Sequence, residues 1–155
     1  MLRIYTFLLV FLFLFWGGAS MAFGNSFVLA SALDGRLLDG EDGDPVSGVT
    51  ITRSWSWGWA NSDGTDKTVT DSEGRFHFDE VKGRSLTAKF VPHEPSVRQE
   101  ITAELPSGTL TLLSLQKSNY ETNGEMGGRP LRIACRTDLE PDARGFFWGT
   151  CEFDP

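Results

Sequence analysis

The segment Arg53-Ser54-Trp55-Ser56-Trp57-Gly58-Trp59 holds the most distinctive side-chain chemistry in the sequence. Alternate residues of an extended strand share a face, so Trp55, Trp57 and Trp59 project together with Arg53 in register, and Ser54, Ser56 and Gly58 take the other side. Two readings stand side by side. Three indoles bury a large apolar area if their face is core. A partly exposed Trp beside Arg is also the composition of protein-binding hot spots, and a row of aromatics stacks on sugar rings. Asn61-Ser62-Asp63-Gly64-Thr65-Asp66 reads as a polar loop after this strand, with Asp63 and Asp66 as rim charges that steer an approaching partner. The candidate binding residues are therefore Arg53, Trp55, Trp57, Trp59, Asp63 and Asp66.

Catalytic constellations are harder to assemble. The chain has 2 histidines. His77 alternates with Phe76 and Phe78, which sends it to the opposite, solvent side of a strand. His93 sits in the Pro-flanked turn Pro92-His93-Glu94-Pro95, where a solvated imidazole is the default. There is no Gly-x-Ser-x-Gly elbow and no His-Glu-x-x-His, and Gly124 to Arg129 lacks the Gly-Lys-Ser/Thr ending of a phosphate loop. The acidic turn Asp39, Glu41, Asp42, Asp44 carries hard oxygen ligands, but its spacing departs from the helix-loop-helix calcium pattern and reads as a solvated, Gly-rich turn. The expectation is a non-enzymatic protein with no cofactor and no metal site.

The N-terminus indicates a compartment. Arg3 precedes the apolar run Ile4 to Trp16, and Gly17-Gly18-Ala19-Ser20-Met21-Ala22 supplies the small residues that signal peptidases accept. Residues 1–22 are thus expected to be an export signal, leaving a periplasmic domain over residues 23–155. The alternative is an uncleaved inner-membrane anchor, and this segment is the only membrane contact expected. In an oxidising compartment the lone pair Cys135 and Cys151 is most simply a disulfide. A net charge of −7, from 21 acidic and 14 basic side chains, argues against nucleic acid as a partner and is of the size that keeps a small domain soluble.

These side chains need a scaffold, and the remaining sequence has an all-β rhythm of short, alternating apolar runs broken by Gly, Pro, Asp, Asn and Ser. Expected strands run from Phe27 to Leu38 with an irregularity at Gly35, from Val46 to Trp59, from Lys67 to Thr70, and from Arg75 to Phe78 in a hairpin across Asp71-Ser72-Glu73-Gly74. Further strands are expected at Ser85 to Val91, Val97 to Leu105, Thr109 to Leu115, Leu131 to Cys135 and Phe146 to Phe153. No segment after the N-terminal run keeps a 3.6-residue apolar period with caps, so no substantial helix is expected. Half-apolar sheets must bury one face, which gives a two-layer sandwich. Val49 and Ile51 are expected to line its core with Phe76 and Phe78 from neighbouring strands. Asn119 to Arg129 is the most loop-like interior stretch and separates the main sandwich from a disulfide-clasped C-terminal extension.

The series Leu37-Leu38-Asp39, Gly43-Asp44-Pro45-Val46-Ser47-Gly48-Val49-Thr50-Ile51 and Thr70-Asp71-Ser72-Glu73-Gly74-Arg75-Phe76-His77-Phe78, closing at Val81, resembles the carboxypeptidase regulatory-like β-sandwich. The resemblance covers about residues 33 to 91 and implies a single transthyretin/prealbumin-like sandwich. Gly74 falls where a positive φ is needed. With its Trp-rich second strand, Lys117-x-x-Tyr120, Gly124-Glu125-Met126 and C-terminal cysteine pair, the chain is also similar to bacterial exported proteins grouped as a domain of unknown function. Small exported proteins of similar type include immunity proteins encoded beside type VI secretion effectors. The expectation is a periplasmic protein-binding module, most concretely an immunity protein that occludes such an effector. The alternative is a carbohydrate- or envelope-binding module using the same tryptophans.

Overall fold

A computed structural model describes residues 25–153, so the expected signal over residues 1–22 lies outside the described residues. The chain is all-β, and two sheets face each other as in a sandwich. The described residues contain no α-helix, hence none long and apolar enough to cross a membrane.

One sheet has six strands in the order β11-β12-β9-β8-β4-β5. These are β4 (Thr50–Trp57), β5 (Ser62–Val69), β8 (Val97–Leu105), β9 (Gly108–Lys117), β11 (Asp142–Arg144) and β12 (Phe147–Gly149). The second is built on β2 (Leu33–Asp39), which pairs in parallel with β10 (Leu131–Arg136) on one side. On its other side β2 pairs antiparallel with β6 (Arg75–Phe78) and with the two-residue β3 (Asp44–Pro45). β13 (Cys151–Phe153) extends this sheet beyond β10, so the tail is a working part of the sandwich. β1 (Asn25–Ala30) and β7 (Val81–Ser85) form a separate antiparallel ribbon that prolongs β2 and β6 past a break.

Alternation fills the interior. Leu33, Leu37, Phe76, Phe78, Leu131 and Ile133 from one sheet meet Ile51, Ile101, Ala103, Leu113 and Leu115 from the other. Each fully buried aromatic or branched side chain contributes about 1.5–3 kcal/mol by leaving water. Phe76 and Phe78 are buried and His77 is exposed, as alternation requires. Val49 and Ile51 are buried with them, but across the sandwich, because β4 and β6 belong to opposite sheets. A register shift in the β8–β9 pair lets Leu112 and Leu113 both turn inward.

Several strand expectations are corrected. The opening strand breaks at Ser31-Ala32, because Ser31 is pulled into a polar cluster. Gly35 lies in regular pairing, and its missing side chain leaves room for the Phe76 ring. The second strand is shorter than Val46 to Trp59. Asn61 to Asp66 is no loop: Asn61 takes a positive φ of 46° in a tight turn, and Ser62 begins an edge strand. β5 has no apolar side chain before Val69, because one face meets water and the other meets Arg53 and Trp55.

Asp71 to Gly74, with Gly74 at φ 72°, joins β5 to β6, but the two strands lie in different sheets, so the expected hairpin is an arch between layers. The buried Thr70 hydroxyl anchors it by accepting from Val49 N at 2.9 Å. Ser85 to Val91 is not a strand. The strand ends at Ser85, and the Thr87 carbonyl accepts from Phe90 N and Val91 N to close a turn. Phe146 to Phe153 divides into β12 and β13 around the buried Thr150.

Candidate functional site

Arg53 and Trp57 point inward from β4, at 0% and 2% exposure. Asp66, directly opposite Arg53 on β5, accepts from its Nε at 3.0 Å and Nη2 at 2.6 Å. The Asp79 carbonyl takes a further Nη2 bond and the Ser31 carbonyl takes Nη1, at 2.6 and 3.0 Å. The guanidinium also stands 4.8 Å from the Phe78 ring centroid. A planar five-donor group engaged on this many sides is a structural clamp at the break between β1 and β2. Asp66 sits at the lip of the interior beside it.

The three tryptophans separate in environment. Trp55 is half-buried and lies over Gly64, where any side chain would overlap its ring. Trp57 is enclosed by Phe27, Tyr120, Leu29 and Val97. Trp59 is half-buried and stacks on His93, with ring centroids 4.0 Å apart. Trp57 Nε1 donates to the Tyr120 hydroxyl at 2.8 Å, and that hydroxyl lies 2.8 Å from His93 Nε2. His93 Nδ1 lies 2.9 Å from the Val91 carbonyl, which can only accept. Nδ1 therefore donates to the Val91 carbonyl, and the Tyr120 hydroxyl links Trp57 to His93 and the 86–91 turn.

Below this aromatic group lies a buried ion pair. Lys117 donates to Glu125 Oε2 at 3.1 Å, to the Glu121 carbonyl at 2.6 Å and to Ser31 Oγ at 3.3 Å. Glu125 also accepts from Ser31 N at 3.0 Å, Ser31 Oγ at 2.7 Å and Gln99 Nε2 at 2.8 Å. Burial pushes the Lys117 ammonium below its ordinary value against the pull of Glu125. Burial alone would raise the Glu125 carboxyl, but hydrogen bonds led by those from Ser31 and Gln99 outweigh it and hold the carboxyl below its ordinary value. The cluster is closed to solvent and serves to fix the Gly124–Met126 turn onto the break between β1 and β2. Sequence reading registered Lys117, Tyr120 and Glu125 as features without a role, because nothing in their spacing reveals Ser31 or Gln99 as partners.

The remaining polar candidates are dispersed. Exposed His77 is drawn upward in pKa by its hydrogen bond to Asp34, and Asp79 adds to the shift. Asp39, Glu41 and Asp44 lie exposed on their turn and Asp42 is exposed beside them. Among the described residues no group of three or more His, Cys, Asp or Glu side chains is arranged to hold a metal ion. Cys135 and Cys151 stand directly opposite each other in the β10–β13 pair, with Cα atoms 3.8 Å apart, and form a buried disulfide.

The accessible aromatics lie elsewhere. Phe146, in the turn before β12, and Trp148, on β12, are 58% and 45% exposed, and together with Arg98, Ser114 and Gln116 they border a shallow groove. Trp148 is level with Ser114, which is level with Glu100, Ser54 and Thr65 in successive strands. The adjacent row runs Gln116, Arg98, Ser56, Asp63. The outer face of the six-stranded sheet is thus a flat polar surface with a tryptophan at one side and the predicted Asp63 at the other.

Over residues 33–140 the chain matches the family described as Domain of unknown function (DUF6795), a range that takes in Arg53, Asp66, Gln99, Lys117 and Glu125. No curated protein and no solved structure matches it.

Proposed function

We propose, from the premise that the chain belongs to the DUF6795 family, that it is an exported, non-enzymatic binding module with a transthyretin-like sandwich, acting in the periplasm either free after loss of residues 1–22 or held at the inner membrane by them. The most concrete form is an immunity protein that occludes an antibacterial type VI effector. The observation that carries the reading is the outer face of the six-stranded sheet, where Trp148 is 45% exposed and shares one surface with Arg98, Glu100 and Asp63. Trp and Arg are the side chains most enriched among interface hot spots, and charges of both signs around them set partner choice and approach rate. Half-buried Trp59 lies near the end of β4 and adds a secondary contact, whereas Arg53, Trp57 and Asp66 hold the scaffold in place.

The test is capture of a partner by the exported protein from its own organism's lysate, followed by growth assays with any captured toxin directed to the periplasm. Trp148→Ala should weaken binding by about 2 kcal/mol while leaving the sandwich folded. A folded variant that protects fully sinks this interface. The same face supports a second reading, because an indole on a flat surface bearing the hydroxyls of Ser54, Ser56, Thr65 and Ser114 is suited to stack on and hydrogen-bond a sugar chain. Retention on a glycan array with no captured protein favours that module.

A further inference from the structure

We propose that the turn Leu86–Val91 is a membrane-contacting surface, in which Leu86, Phe90 and Val91 enter the interface of an anionic bilayer beside the chain's N-terminal segment. The three side chains are 68%, 77% and 45% exposed. Clustered apolar exposure of this kind on a small domain marks a contact surface. The surrounding charge supplies the second half of the argument. Although the chain carries a net −7, residues 81–93 contain Lys82, Arg84 and Lys89 and no acidic residue, and all three basic side chains are exposed. Apolar side chains flanked by Arg84 and Lys89, with Lys82 nearby pairing to Glu80 at 2.9 Å, match a bilayer whose headgroups are negative.

The projection is built in. Ser85 Oγ accepts from Ala88 N at 3.1 Å and from Trp59 Nε1 at 3.2 Å, and Ala88 is buried beneath the turn. The Thr87 carbonyl accepts from both Phe90 N and Val91 N, and His93 ties the Val91 carbonyl to Tyr120. Phe90 and Leu86 are therefore held outward by a turn anchored to the aromatic cluster.

Position identifies the occupant. Asn25 pairs with Ser85, the residue preceding Leu86, so the described chain begins at the base of this turn. The sequence just before it holds the apolar run Ile4 to Trp16. A bilayer that receives that run lies at this end of the sandwich. Ser107, in the exposed β8–β9 connection, is at the other end of β8.

The test uses the full chain in vesicles of phosphatidylethanolamine and phosphatidylglycerol at about 3:1, carrying quencher-labelled lipids. Leu86→Cys, Phe90→Cys and Ser107→Cys are each labelled with an environment-sensitive fluorophore, since the native cysteines are bonded to each other. Emission from positions 86 and 90 should be quenched at least about twofold and position 107 left unchanged, with the Lys82→Glu/Arg84→Glu/Lys89→Glu variant losing the effect. Quenching at 86 and 90 no greater than at 107, or equal quenching in purely zwitterionic vesicles, overturns the proposal. Shielding of position 90 that requires an added protein assigns the turn to a protein partner and overturns it equally.

Discussion

Lys117 Nζ lies 3.1 Å from Glu125 Oε2, and neither side chain has any solvent exposure. Taking both charges out of water costs several kcal/mol per ion, and the pair persists because Ser31, Gln99 and the Glu121 carbonyl complete its hydrogen bonds. Either single replacement, Lys117→Met or Glu125→Gln, should cost about 3–5 kcal/mol in denaturant unfolding, since each leaves its partner buried and unpaired. Lys117→Met/Glu125→Leu should cost less than the sum of Lys117→Met and Glu125→Leu measured singly. Strict additivity would show that the two charges are not coupled.

Stability should fall in acid through Glu125. Its carboxyl lies below its ordinary value in the folded chain, so its contribution is fully present above that ordinary value and is lost as pH falls through the folded one. Unfolding midpoints measured from neutral pH downward should drop below about pH 4, and Glu125→Gln should flatten that limb from a lower starting point. Lys117 acts in the same sense at the alkaline end. Its folded value is also lowered, so stability rises with pH between that value and the ordinary one.

A methyl group at Gly35 would overlap the Phe76 ring. Gly35→Ala should therefore destabilise the protein by about 1–3 kcal/mol, the ordinary cost of overpacking a tight core. Pairing it with Phe76→Leu should recover part of the loss, as read by thermal unfolding. A neutral Gly35→Ala would show that Phe76 repacks freely.

Much of the fold was legible because alternation is a local signal. Val97 to Leu105 reads correctly end to end, and Phe76-His77-Phe78 assigns inside and outside at three consecutive positions. The misreadings share one cause, which is pairing that no local pattern encodes. The first part of β5, up to Asp66, looks like a loop because its inward residues are Asp66, opposite Arg53, and Gly64, beneath Trp55. The Asp71-to-Gly74 turn looks like a hairpin because its residue types are the same whether the next strand pairs back or crosses to the other sheet. The site was half legible. Arg53, Trp55 and Trp57 share one face of β4 as the sequence implies, with Trp59 in the turn beyond it, but whether such a face looks inward depends on the sheet opposite. The accessible face was marked by Asp63, expected as a rim charge, and by Trp148 in a segment expected only to be a strand.

The parallel pairing of β2 with β10 sets the order in which the chain can be completed. β2 ends at Asp39 and β10 begins at Leu131, so a central strand of one sheet keeps an open edge until nearly the whole polypeptide is present. Contacts of such long sequence separation close slowly. A chain truncated before Leu131 presents the unpaired backbone of Leu33 to Leu38 as a template for intermolecular pairing and should aggregate. The same dependence delays compaction of the chain until its last strands have been made.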